Sequence, residues 1–552
     1  MTKPLQIFCK NNKKSQNFEF GTPLSAIYSE FKPILTHEPL CAVVNNQLEG
    51  LSFRVFGSKQ VEFLDITSPM ARRVYMRSLT FVLYKALEDL CPGAKLNIEA
   101  TACKGYFFTL LPPPEGAAMP RAAALLQRMR EIVEADYHFS RQEAPTSEVV
   151  ELFRSRGLEK KAKLLEGTGR LYSFYYKLCD TVDYYYGPLV LSTGVLKTFD
   201  LDDYEDGLLL RIPGEDGEIP AIVPQPKMLQ VFRDTHRIQN IGRVTSVGEF
   251  NAVERKGLAG DVIKVAEAMQ EKRISQIAEA IAHRSGVRVV LVAGPSSSGK
   301  TTFSKRLSVQ LMTCGLMPRL ISLDDYFVDR DHTPRDASGD YDYEHIEALD
   351  LDLFHQQLNE LLQGGEVELP RYDFTTGKSV PSGTKISLGE NSVLIMEGIH
   401  ALNPLMSEGI PAESIFRVYV SALTSIKLDD HNYIPTTDNR LIRRIVRDSN
   451  YRGTSARQTI ARWPSVRRGE DRWIFPYQEN ADAMFNSAMF YELAVLRGYA
   501  LPLLEAVHED CDEHVTAKAL ADFLRYFEPL SADELPPTSL LREFLGGSSF
   551  TY

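Results

Sequence analysis

Residues 287–304 read VRVVLVAGPSSSGKTTFS, and this stretch decides how the C-terminal half of the chain folds. Val287, Val289, Val290, Leu291 and Val292 form a short apolar, mostly β-branched run, the pattern of a buried strand. The run passes into Gly294, Pro295, Ser296, Ser297, Ser298, Gly299, Lys300 and Thr301, which satisfy G-x-x-x-x-G-K-[ST] in full. Beyond Thr302, apolar residues at Phe303, Leu307, Val309, Leu311 and Met312 predict an amphipathic helix. Strand, glycine loop and helix in that order form a phosphate cradle. The glycines let backbone N–H groups turn toward phosphate oxygens, and the helix start adds the positive end of its dipole. Lys300 would neutralise β- and γ-phosphates, and Thr301 would offer its hydroxyl to Mg²⁺. Residues 294–302 are therefore the candidate site for a nucleoside triphosphate, with ATP and Mg²⁺ the expected cofactors.

Such a loop predicts a doubly wound parallel sheet, whose strand carboxyl ends face the ligand crevice. Residues 319–327 (RLISLDDYF) read as a second strand, ending in Asp324 and Asp325. Residues 392–399 (SVLIMEGI) read as a third, ending in Glu397. A strand that closes in an acid can reach Mg²⁺ directly or through water. Arg440, Arg443, Arg444 and Arg447 recur at helical spacing and predict a guanidinium cluster on one face, a candidate lid over the triphosphate.

The motifs G-P-S-S-S-G-K-T-T, S-L-D-D-Y-F, Y-E-H-I-E-A-L-D (343–350), P-R-Y-D-F (370–374), V-L-I-M-E-G-I (393–399) and R-L-I-R-R-I-V-R-D (440–448) follow one another in this order. In sequence and order they resemble the uridine kinase and phosphoribulokinase family, over residues 285–500. The resemblance implies an ATP-dependent kinase that phosphorylates the 5′-hydroxyl of a uridine- or cytidine-like nucleoside. It assigns Asp324 as the catalytic base, with Thr301, Asp324 and Glu397 sharing Mg²⁺. Arg444, Arg447 and Arg452 match the family's lid arginines, and Lys300, Arg444 and Arg447 join Asp324 as catalytic candidates. On the acceptor side the match loosens. The family's ribose-holding acid aligns with Glu344, one methylene longer, and Tyr372 matches its base-contacting tyrosine. The pyrimidine-reading histidine of T-H-S-R falls on Gly377, and a second lid arginine becomes Thr454. Losing a buried hydrogen-bonding partner alters discrimination by orders of magnitude, so the base stays open. A phosphoribulokinase-like sugar-phosphate kinase is the second enzyme reading, with Arg371 and Lys378 as candidate phosphate grips.

At 552 residues the chain should hold about three or four domains. A net charge of −11 argues against bulk electrostatic binding of nucleic acid. The seven cysteines are scattered, with no C-x-x-C pair, which predicts reduced, buried thiols in a cytoplasmic protein. No apolar run approaches membrane length.

Residues 1–65 read as a small ββαββ unit. Strands begin at Leu5 and Phe18, a helix follows Thr22-Pro23, further strands lie at 41–44 and 61–64, and Asn45-Asn46-Gln47 is a turn between these two. The helix-starting G-T-P-L and the A-V-V-N-x-x-L run resemble the TGS domain, a ubiquitin-like module of some tRNA synthetases and GTPases. Residues 66–225 carry a helix at 72–90, strands at 95–98 and 105–108, and D-Y-Y-Y-G-P-L-V (183–190). Together these resemble the editing domain of threonyl- and alanyl-tRNA synthetases. That family's H-x-x-x-H and C-x-x-x-H ligand positions hold Arg77, Phe81, Tyr185 and Leu189 here, none a zinc ligand. The expected front half is thus an α+β docking module that has lost its chemistry, with Tyr184–186 able to stack on bases or to serve as core. A helical linker at 226–285, the kinase domain at 286–505 and a helical extension at 506–552 complete the expected order, and residues 544–552 are expected to fray. A third reading, a translation-associated RNA-binding NTPase, rests on the front half alone. RNA or a protein is its expected partner.

Overall fold

The computed structural model describes residues 4–551 except 114–115, 243 and 337–338. Its C-terminal half is built on five parallel strands: β1 (Val289–Ala293), β2 (Met317–Ser322), β3 (Ser392–Glu397), β4 (Ile415–Ser421) and β5 (Ala483–Asn486). Their order across the sheet is β2-β3-β1-β4-β5. All of β1 is buried, because its residues alternate between two covered faces. Val290 and Val292 pack with Phe303, Leu307 and the apolar stripe Ile274, Ile277 and Ile281 of the helix Ala259–His283. Val289, Leu291 and Ala293 meet Phe354, Leu358 and Phe232 on the other face. Pairing of Val292 with Glu397, and of Ser322 with Glu397, aligns the carboxyl ends of the three strands that carry the loop and the acids. The expected parallel sheet is present.

The fourth strand of this sheet has no counterpart in the sequence reading. β4 (IFRVYVS) is apolar on both faces and has no acid or turn signal at its end, so nothing local marks it. Also unread was the antiparallel hairpin Glu366–Asp373 with Lys378–Ser387, whose second strand is largely exposed and therefore polar.

Residues 5–64 form a mixed five-stranded sheet with the helix Leu24–Phe31 against it. Two expectations are corrected here. The second strand is Lys14–Phe18, which ends at the residue where it was expected to begin. The turn at Asn45-Asn46 does not lead to residues 61–64 but closes a two-residue hairpin onto Gln47–Gly50. Both asparagines adopt left-handed backbone, at φ 46° and 58°, as a tight hairpin turn demands.

Next, the helix Pro69–Leu90 packs against a four-stranded antiparallel sheet that includes Lys95–Ala102 and Gly105–Leu111. The four positions where a synthetase editing site would place metal ligands are packed closed. Phe81 and Tyr185 are fully buried, with ring centroids 5.7 Å apart. Leu189 is buried beside them, and Arg77 donates to the Pro188 carbonyl at 2.7 Å. Among the described residues no cluster of three or more His, Cys, Asp or Glu side chains could hold a metal ion. Tyr184 is likewise inaccessible and hydrogen-bonds Tyr526, so it and Tyr185 are core and cannot stack on a base.

Of the seven cysteines, four are buried and all are free, while Cys179 and Cys314 are exposed and Cys511 half-buried. The expectation of buried thiols holds only for the four. No described helix is long and apolar enough to cross a membrane.

The two halves are joined through the segment after β4. Lys161 is buried between Asp183 at 2.7 Å and Asp429 at 2.6 Å, and His431 donates from Nδ1 to Asp183 at 2.7 Å. Burial pushes the Asp183 carboxyl up, but Lys161 and His431 outweigh it and hold the group well below the usual carboxylate range. The backbone follows suit: Ile98 N–H donates to the Asp430 carbonyl at 2.9 Å. This segment leads into the helix Thr436–Arg452, so the front half is tied to the element that carries the arginine cluster.

Candidate active site

The loop between β1 and the helix Lys300–Thr313 turns through two left-handed residues, Ser297 at φ 58° and Gly299 at φ 82°. A side chain at 299 would be strained by that φ and would also run into Leu540, 2.5 Å from a built Cβ. Lys300 Nζ reaches back to the Pro295 carbonyl at 3.4 Å. The Thr301 hydroxyl donates to Glu397 Oε1 at 3.0 Å, joining the loop to the acid that ends β3. Glu397 is pushed up to about 7, chiefly by burial; Lys300 pulls it down and the Asp324 charge pushes it further up. Asp324 is exposed in the turn Leu323–Tyr326 that follows β2.

The arginines divide into two sets, which corrects the single lid face expected from their spacing. Arg440 and Arg443 are almost wholly buried, at 1% and 0% exposure, and act as struts under the loop. Arg440 donates from Nε to the Ser296 carbonyl at 2.9 Å and pairs with buried Glu470, which accepts the Ser296 N–H at 3.1 Å. Arg443 reaches the Ser297 carbonyl at 3.4 Å and the Ser487 carbonyl at 2.9 Å, and pairs with Glu492. Arg444 instead donates to the Ser296 hydroxyl at 2.8 Å. Together with Arg447 and Arg452 it crowds a single carboxylate, Asp448, at 3.3, 2.8 and 3.7 Å respectively. Arg452 is pushed down to about 10, first by the charge of Arg447 and then by burial. Three cations around one anion leave positive charge that a phosphate would neutralise.

On the acceptor side, Tyr372 N–H lies 3.5 Å from Asp325 Oδ1, which fastens the hairpin Glu366–Asp373 to the β2 turn. The Tyr372 ring is buried against Phe327 and Phe374, with centroids 5.4 and 5.0 Å away. Glu344 lies beneath the helix Ala456–Trp473; a built Cβ on Gly469 would come within 2.2 Å of Glu344 Cβ. Its Oε2 has no hydrogen-bond partner among the described residues. Burial, with Glu470 adding, pushes Glu344 up to about 7, against the pull of Arg444 and Lys300.

Gly377 is more than a missing histidine. It sits at φ +73°, and a built Cβ would be 2.6 Å from the Arg330 guanidinium, which fills the space. Arg330 is fixed there by its N–H to the Gly377 carbonyl at 2.8 Å and by Nη2 to the Phe374 carbonyl at 2.7 Å. Sequence reasoning missed Arg330, along with Glu470 and His400. His400 is 1% exposed and is pushed down to about 3 by burial and by neighbouring His345, so its imidazole stays neutral. Its place three residues after Glu397 was the only available signal.

Loop, acids and arginines thus lie within electrostatic reach of one another. Lys300 bears on Glu344 and Glu397, and Asp324 bears on Glu344, Glu397 and Arg452. This part of the chain matches known proteins in sequence. Residues 289–493 match the Phosphoribulokinase / Uridine kinase family. A uridine kinase of Staphylococcus aureus is 31% identical over 197 residues, which are 35% of this chain and 84% of that protein. One from Ureaplasma urealyticum is 27% identical over 196 residues, 35% of this chain and 85% of its own length. A solved structure of a possible uridine kinase from Bacillus stearothermophilus aligns at 20% identity over 39% of this chain and 98% of its own, with a TM-score of 0.27. That score is too low to add to the sequence matches. A phosphate loop with acids at the ends of two adjoining strands, and relatives matched over most of their own length, lead to one conclusion: through its C-terminal kinase domain this chain belongs to the phosphoribulokinase/uridine kinase family.

Proposed function

We propose that the chain transfers the γ-phosphate of ATP to the 5′-hydroxyl of a nucleoside. The observation that carries this reading is the exposed Asp324 carboxylate, set at a strand end among Lys300, Glu344, Glu397 and the arginines at 444–452. Residues 294–302 would hold the triphosphate with Arg452, Lys300 its β- and γ-phosphates, and Arg444 and Arg447 the charge that builds on the transferring group. Asp324 would take the proton from the acceptor hydroxyl. Phosphoryl transfer is loose and depends mainly on position and charge, so this base can act late.

The residues fit Mg²⁺. Thr301 and Glu397 already meet at 3.0 Å, and Glu397 carries a raised carboxyl that a cation would draw into its ionised form. Thr301, Asp324 and Glu397 would hold the ion, whose chemistry when bound is to neutralise charge on the phosphate oxygens.

Glu344 would hold the acceptor's ribose hydroxyls and Tyr372 its base. With Glu344 near 7, it is mostly protonated at pH 6 and mostly ionised at pH 8. The ionised form accepts from both ribose hydroxyls through charge-assisted hydrogen bonds, which are stronger than those to a neutral carboxyl, so the acceptor KM should fall about tenfold over that interval. In Glu344→Gln that dependence should vanish. A slope that survives the substitution would move the titration to another group.

The front half is read as a TGS-like unit at 1–65 and an editing-like unit at 66–225 that serve docking of RNA or protein rather than catalysis. Its closed ligand positions support this, as does its link to the arginine helix through Lys161 and Asp429. The proposal as a whole is tested by ADP formation across nucleosides and sugar phosphates, with Lys300→Ala as the control that should abolish nucleotide binding. Turnover confined to sugar phosphates would replace the nucleoside reading. Hydrolysis stimulated only by RNA would replace both.

A further inference from the structure

The C-terminal segment lies on the phosphate loop. Leu540, Leu541 and Phe544 are fully buried, and Leu540 presses on Gly299. Arg443 sits 5.0 Å over the Phe544 ring, and Asn450 donates to the Phe544 carbonyl at 3.0 Å. Further along, Lys305 donates to the Thr551 carbonyl. Phe544 and Thr551, both in the stretch expected to fray, are therefore fastened to the helices Thr436–Arg452 and Lys300–Thr313.

From this anchored segment Glu543 points at the start of the helix Lys300–Thr313. Its Oε2 accepts the Thr302 N–H at 3.1 Å and the Thr302 hydroxyl at 2.6 Å. The first N–H groups of a helix have no partner within it, and in a phosphate loop they face the ligand's oxygens. Here one of them is held by a carboxylate, the chemical group nearest to a phosphate oxygen. The Glu543 charge also helps keep the Glu397 carboxyl raised.

We propose that Glu543 is an autoinhibitory plug: its carboxylate holds donors that an incoming nucleotide phosphate requires, and nucleotide binding displaces it. The inference rests on reading residues 294–302 as the nucleotide site. Only the Glu543 side chain has to swing away, because Leu540, Leu541 and Phe544 keep the segment in place. Tethering keeps the carboxylate at a high effective concentration, so every nucleotide must compete with it.

The test is titration of the full chain with a non-hydrolysable ATP analogue by calorimetry, comparing wild type with Glu543→Gln and Glu543→Ala. Loss of a charge-assisted competitor should tighten the analogue's Kd about tenfold in both variants and lower the KM for ATP, with kcat unchanged. Glu543→Gln keeps the shape of the side chain, and a melting curve verifies that each variant is folded. If Glu543 only caps the helix, the variants will melt earlier and bind no tighter, which overturns the plug. Equal or weaker binding by folded variants, with wild-type binding intact, overturns it as well and leaves the nucleotide site standing. Absence of binding in wild type and variants alike removes the nucleotide reading and this inference together.

Discussion

Asp324→Asn should lower phosphoryl transfer by about 10²- to 10⁴-fold, the usual contribution of a positioned general base, while leaving nucleotide binding nearly intact. The carboxylate stands at the end of β2, exposed, and its charge is felt by Glu397, Glu344 and Arg452. Asparagine keeps the size and one oxygen but cannot accept the proton of the acceptor hydroxyl. Removing that charge should also let the Glu397 carboxyl fall toward its ordinary range. Single-turnover transfer and analogue binding, measured on the same preparation, separate the two effects. Unchanged turnover would remove Asp324 from the role of base; lost nucleotide binding would make it a structural support of the phosphate site instead.

The second large effect is expected at Glu470, far from any motif. Its carboxylate is fully buried and takes the Arg440 guanidinium, the Ser296 N–H at 3.1 Å and Arg467 at 2.7 Å. Glu470→Ala would leave Arg440 buried without its anion, and breaking one partner of a buried pair costs about 3–5 kcal/mol. The loss should appear in urea denaturation, and nucleotide binding should weaken because Ser296 is no longer held from both its N–H and its carbonyl. Glu470→Gln should fall in between, since an amide oxygen still accepts from Ser296. A loss below about 1 kcal/mol in the alanine variant would show that the pair contributes little and that the loop keeps its shape without it.

These two positions differ in how they could be found. Asp324, Glu397 and residues 294–301 were legible because each lies at the end of a run of apolar residues, and strand ends in a parallel sheet converge on the ligand. Periodicity likewise gave the helix at 72–90, observed as Pro69–Leu90, a helix in the 226–285 linker, observed as Ala259–His283, and the helical spacing of the arginines within Thr436–Arg452. The same periodicity misled at the arginines. It placed four of them on one face but did not show that the part of this face bearing Arg440 and Arg443 is pressed against the loop. Burial turned those two into struts and left Arg444, Arg447 and Arg452 gathered around Asp448.

From its sequence alone the chain is fixed as a phosphate-loop protein with two acid-ended strands, because those features are written in consecutive residues and depend on backbone geometry alone. Tertiary structure decided the rest. Glu470 meets Ser296 across 174 residues, Glu543 meets Thr302 across 241, and Arg330 fills the space at Gly377 from a different loop. No local pattern encodes such contacts, since a buried charge declares its partner only when the packed chain brings the two together and water is excluded. The first stretch, 287–304, thus sets what the site can bind; what holds it in shape, and what covers it, is supplied by residues far along the chain.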